Sequence, residues 1–224
     1  MKNSRCVRRS FLFLLTCGPA LWGADLSTYR GFQLGMGLNA AVKHSGMDLS
    51  EVTMLHERPA RIQELSWHPD RFFRASADSD PVEKVVFSFY KGQLFRMLVD
   101  YTQDKTTGLT SEDIINGISD QYGPAMKPGV APLEIKSHFS DDTAQVIARW
   151  EDTQYSLNLV QIPYSSGFKL LIFSKDLNAL AEMAVADGIR RDEQEAPQQQ
   201  KVQEQNAQNQ LDKTRLVNKE RFRP

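Results

Sequence analysis

The sequence predicts an α+β fold. Short helices pack on one face of a mainly antiparallel sheet, in two similar halves, and a polar C-terminal arm, helical or disordered, follows. Three observations lead there. Pro81 to Thr102 reads as one β-hairpin, because Val85, Phe87 and Phe89, then Phe95, Met97, Val99 and Tyr101, fall at every second position. Residues 133–173 hold four more short apolar runs separated by turn residues. Each half opens on a glycine followed by a short amphipathic helix, and a doubled helix-plus-strands unit makes an α+β layer.

The chain has 224 residues and a formal charge of −1. Residues 1–24 have the three parts of a secretory signal. Lys2, Arg5, Arg8 and Arg9 make the basic start, and Phe11 to Cys17 is an apolar run too short to span a bilayer. Gly18, Pro19, Ala20, Gly23 and Ala24 supply small residues for cleavage. Both cysteines, Cys6 and Cys17, lie in this segment, so its removal leaves no disulfide or thiolate chemistry. Removal also takes four of the 27 basic residues and none of the 28 acidic ones. An acidic body disfavours nucleic acid, whose phosphates demand basic patches. No other segment is apolar enough to be a transmembrane helix.

Arg8-Arg9-Ser10-Phe11-Leu12 resembles the twin-arginine export signal, although two arginines also arise by chance in a basic leader. Leu14-Leu15-Thr16-Cys17-Gly18 partly resembles a bacterial lipobox. Thr16 departs from its small-residue pattern, so cleavage near Ala24 is preferred to a lipid anchor at Cys17. Either way the location expected is periplasmic or secreted.

In the mature chain, Leu38, Ala41 and Val42 mark a short helix ended by Gly46, and Val52 to Leu55 and Ile62 to Trp67 are candidate strands. His68 to Pro81 is a polar loop that carries Phe72 and Phe73 between Arg71 and Arg74, a candidate contact patch. For the hairpin, a three-residue loop at Tyr90-Lys91-Gly92 sets Phe87 opposite Phe95 and Val85 opposite Met97. Thr110 is a natural N-cap with Asp113 three residues on, and Ile114, Ile115, Ile118 and Tyr122 form the inward stripe of that helix. Gly123 and Pro124 stop it. Strands are expected at Leu133–Phe139, Ala144–Trp150, Gln154–Ile162 and Phe168–Phe173. A last helix opens at Ser174-Lys175-Asp176 and turns Leu177, Leu180, Ala181 and Ala184 inward.

The domain expected is therefore residues 25–187, with halves near 25–106 and 107–187. From 188 to 224 the chain is a Gln-rich polar tail. Pro197 should interrupt any helix there, and Val202, Leu211, Leu216 and Val217 make no heptad seam. The tail ends in Lys213, Arg215, Lys219, Arg221 and Arg223. This basic end suits an envelope protein or an acidic surface, and a merely solubilising tail is the competing reading.

Gly108-Leu109-Thr110-Ser111-Glu112-Asp113-Ile114, Tyr122-Gly123-Pro124 and Trp150-Glu151-Asp152 resemble motifs of the SmpA/OmlA envelope-lipoprotein domain and of the β-lactamase-inhibitor-protein fold. Phe89-Tyr90-Lys91-Gly92-Gln93-Leu94 is similar to their hairpin motif, with Lys91 where Asp is usual. The resemblance spans about Phe32 to Phe173. It implies a protein-binding envelope module and supplies no catalytic residues.

Catalytic and metal-binding patterns are sparse. His44, His56, His68 and His138 are scattered, and no Ser elbow, P-loop or dinucleotide fingerprint occurs. His68 stands near Asp70, and the acid pairs Asp141-Asp142 and Glu151-Asp152 fall where turns are expected. No cofactor is expected. The first expectation is a non-enzymatic binding or scaffolding protein of a bacterial envelope. A small-ligand or lipid carrier using the concave sheet face is the second, and a hydrolase with a dispersed His/Asp site is the third.

Overall fold

A computed structural model describes residues 25–69, 80–127, 133–137, 140–161, 167–221 and 223. Its centre is an eight-stranded sheet, antiparallel throughout. A small β1–β2 ribbon (Thr28–Tyr29, Phe32–Gln33) and helix α1 (Leu38–Ser45) precede it. The first half supplies β3 (Thr53–His56), β4 (Ile62–Trp67), β5 (Val82–Tyr90) and β6 (Gln93–Tyr101). After a short α2 (Gln103–Thr106) comes α3 (Ser111–Tyr122). The second half then supplies β7 (Leu133–Ser137), β8 (Ser140–Glu151), β9 (Tyr155–Gln161) and β10 (Phe168–Ser174). The order β3-β4-β5-β6-β10-β9-β8-β7 joins the two meanders through their last strands, with Leu98 opposite Leu171. Each half is thus a helix followed by a four-stranded meander. Trp67 and Trp150 occupy matching places, opposite Val85 and Leu157 on the next strand of each meander.

One sheet face carries the main core. Leu65, Phe87, Met97, Leu157, Leu170 and Ile172 are fully or nearly fully buried there, beneath β1–β2, α1 and α3. Phe32 plugs this layer, with its ring centroid 4.3 Å from Phe87 and 5.2 Å from Trp67. α3 starts as expected: Thr110 Oγ1 accepts from the Asp113 N–H at 3.2 Å, and Asp113 Oδ2 accepts from the Thr110 N–H at 2.8 Å. Tyr122 is buried, Ile114, Ile115 and Ile118 are half-buried against the core, and the Trp150 indole N–H donates to Gly123 O at 2.9 Å.

The hairpin departs from the sequence expectation. Its turn has two residues, Lys91 and Gly92, with φ of 50° and 80°. That pair of left-handed residues matches the twist of the flanking strands better than a longer loop. Uncorrected, it would set Phe87 opposite Arg96. A bulge near Phe95 absorbs one residue, so Phe87 faces Met97 and Val85 faces Val99. Phe87 and Phe95 therefore lie on opposite sides of the sheet, Phe95 in a small cluster with Ile62 and Ala181. A second bulge between Val146 and Ala148 serves β8 alike: Val146 sits with Val160 on one face, and Ala148 with Leu159 on the other.

The final helix, α4, runs unbroken from Lys175 to Arg221 with Pro197 inside it. Its first turns lie on the face opposite α1 and α3. The inward stripe is Leu177, Ala181 and Val185, in steps of four, while Leu180 is 43% exposed rather than inward. Gly188 closes the contact, since a β-carbon there would stand 3.0 Å from the Arg58 carbonyl oxygen. Asp141 and Asp142 lie within β8, opposite Lys136 and Ile135, rather than in a turn. Asp152 is a turn residue, its Oδ1 accepting from the N–H groups of Gln154 and Tyr155, both at 2.7 Å.

Candidate functional site

Two surfaces stand out. The first is the arm. After Glu195, whose carboxylate lies 3.6 Å from Arg58, every described residue of α4 to Arg221 is exposed. At 1.5 Å per residue that stretch reaches about 40 Å from its last tether. Its helix is supported by side chains one turn apart, Gln200 with Glu204 and Gln208 with Asp212. Lys213, Arg215, Lys219 and Arg221 ride its last turns and Arg223 follows, all exposed. With about 3.6 residues per turn, Arg215 and Lys219 share one side of the helix and Lys213 and Arg221 fall on others, so positive charge is spread around the tip. Arg71, Phe72, Phe73 and Arg74 lie outside the described residues, as do Asp70 and His138.

The second surface is a cleft of about 760 Å³ where α1 meets the β5–β6 turn and the start of β4. Backbone contacts build it. The Leu38 N–H donates to Gly92 O at 2.8 Å, the Gly35 N–H to Leu94 O at 2.7 Å, and the Lys91 N–H to Arg61 O at 2.8 Å. Gly35 has φ of 89°, which lets the chain turn from β2 into α1 against that hairpin. Gly37 caps α1 with no side chain, and the first turn of α1 holds no acid. Arg61, Lys91 and Glu57 are among its lining residues. Sequence reasoning missed this cleft, because its residues come from three separated segments.

Beneath α4, Glu64 is fully buried and stands 3.4 Å from the Arg96 guanidinium, and the Ser88 hydroxyl donates to its Oε1 at 2.9 Å. Burial pulls the Arg96 pKa down, and the negative charges of Glu64 and Glu182 oppose that. At the other end of the sheet, Arg30 grips Asp80 through two bonds of 2.7 and 2.8 Å and holds its carboxyl below the usual range. Burial pushes Tyr29 and Tyr101 up, and Tyr122 up to about 12. These groups are held by one another and by the core, so they read as structural.

His44 packs edge-on against Phe32 at 4.6 Å, and its Nε2 lies 3.4 Å from Arg30 O. Among the described residues, no group of three His, Cys, Asp or Glu is placed to hold a metal ion. Among the same residues, no helix is long and apolar enough to cross a membrane. No protein-family model, curated protein or solved structure matches the chain.

Proposed function

We propose that this chain is a non-enzymatic binding or scaffolding protein of a bacterial cell envelope, exported by its N-terminal segment and docking through its C-terminal helix. The observation that carries the reading is α4. Its first turns are fixed to the sheet by Leu177, Ala181, Val185 and Gly188, and its far end projects with exposed positive charge. A long helix that is polar all round has no core to join, so its surface is available to a partner. The exposed basic tip suits an acidic protein or envelope surface. The basic, apolar and small-residue parts of residues 1–24 support export to the periplasm or beyond. The resemblance to SmpA/OmlA-type modules points the same way.

Expression of the full chain in a Gram-negative host tests both parts. The reading expects mature protein of the mass that begins after Ala24, recovered in the periplasmic or secreted fraction. It also expects in-cell crosslinks from photo-reactive residues at positions 213–221 that disappear when Lys213, Arg215, Lys219 and Arg221 are changed to Glu. Full-length protein retained in the cytoplasm, or crosslinks indifferent to those charges, contradicts it.

A further inference from the structure

Residues 25–34 are locked into the folded body. Asp25 is exposed, but its Oδ1 accepts from the Ser27 N–H at 2.9 Å and from the Ser27 hydroxyl at 2.6 Å. Leu26, Ser27 and Tyr29 are only 6%, 5% and 7% exposed. Ser27 O accepts from the Leu34 N–H at 2.8 Å, and Thr28 and Tyr29 pair with Gln33 and Phe32. Thr28 O accepts from the Tyr122 hydroxyl of α3 at 2.9 Å. Leu26, Tyr29 and Phe32 belong to the same apolar core as Trp67 and Phe87. Asp25 alone thus separates the expected cut after Ala24 from packed residues.

That geometry sets a condition on the cut. A protease binds its substrate as an extended strand and pairs with its backbone on both sides of the bond. The residues after Ala24 cannot enter such a cleft while Leu26 is in the core and the Ser27 and Thr28 carbonyls are taken by Leu34 and Tyr122. Nor does the β1–β2 ribbon open by itself. Phe32 is 1% exposed with its ring on Phe87 and Trp67, and Arg30 holds Asp80 through two bonds, so freeing residues 25–29 disrupts the core. The cut therefore needs an unfolded body. The twin-arginine route carries bodies that fold before they cross, and its motif is matched by Arg8-Arg9-Ser10-Phe11-Leu12. A folded body with no slack after the cut does not suit that route.

We propose that the chain crosses the membrane unfolded, loses its leader there, and only then closes the β1–β2 ribbon onto the core. Cleavage is hydrolysis: water adds across the Ala24–Asp25 peptide bond and leaves a carboxylate on Ala24 and an amine on Asp25. Arg8 and Arg9 act as ordinary basic residues of the leader. The inference rests on the export reading and adds its route and its order, the cut first and the fold second.

The full precursor, residues 1–224, tests it with purified leader peptidase. One sample is refolded in detergent, and the other is mixed with the enzyme while still unfolded. Folded precursor should be cut after Ala24 about a hundredfold more slowly, about tenfold for each of the buried side chains Leu26 and Tyr29 that must come out. A flexible Gly-Ser spacer inserted between Ala24 and Asp25 should restore the fast rate with the melting temperature unchanged. Equal rates for folded and unfolded precursor overturn the proposal, and no cut in either overturns the export reading with it. In cells, a Gram-negative host lacking the twin-arginine translocase should export as much mature protein as its parent. Arg8→Lys with Arg9→Lys should leave that amount unchanged. Export lost in that host alone overturns the proposal and leaves the export reading standing, whereas export absent from both hosts overturns both.

Discussion

Glu64 and Arg96 meet beneath α4, 3.4 Å apart, where water reaches neither well. Removing one partner of such a pair leaves an uncompensated charge. Glu64→Ala is therefore expected to destabilise the fold by about 3–5 kcal/mol, measurable as a shift of the urea midpoint. Glu64→Ala with Arg96→Met should recover most of that loss, because the stranded cation is gone. The Arg30–Asp80 pair sits nearer solvent and acts through pH. Asp80 has its folded pKa lowered, first by the Arg30 hydrogen bonds, so its contribution is present above the unfolded value of about 3.9. It is lost as pH falls through the lower folded value. Asp80→Asn should flatten the acid limb of the stability profile and leave the alkaline limb alone. Tyr122 behaves oppositely. Its raised pKa gives stability below about pH 10 that is lost as pH rises through about 12. Tyr122→Phe should remove part of that alkaline loss, together with the hydrogen bond its hydroxyl donates to Thr28 O at 2.9 Å.

At the scale of elements, the features that were legible in the sequence are those whose determinants are local. Thr110 and Asp113 are three residues apart and bond only to each other's ends, so the α3 start could be read directly. Thr110→Ala should cost about 1 kcal/mol. The β5–β6 register could not be read, because the bulge near Phe95 answers to α4 and Ile62, which are remote in sequence. The reach of α4 was hidden for another reason. Pro197 removes one helical bond and crowds the carbonyl of Glu193, a penalty of about 3 kcal/mol, yet the helix continues on both sides. Pro197→Ala should raise helicity without altering the body. Gly188→Val should loosen the helix from the Arg58 backbone at a cost of about 1–3 kcal/mol. The cleft illustrates the same limit, since Gly37, Gln63 and Lys91 have no common sequence pattern and meet only after the sheet forms.

The whole molecule is two meanders sharing one sheet, with a core on the α1–α3 face and a helix anchored on the other. The doubling was visible beforehand in the paired glycine-led helices and in Trp67 and Trp150. The central joint, β6 against β10, was not, because strand neighbours far apart in sequence leave no local mark. From this body the arm carries its basic tip outward, and the proposed docking role depends on that separation. Spin labels at Ala186→Cys and Asn218→Cys, in residues 25–224, report it most directly by their dipolar distance. Continuous helix between them predicts a single narrow distribution near about 48 Å, from 1.5 Å per residue. A broad distribution centred well below that length would contradict a projecting helical arm, and with it the reading of the molecule as a body that reaches its partner.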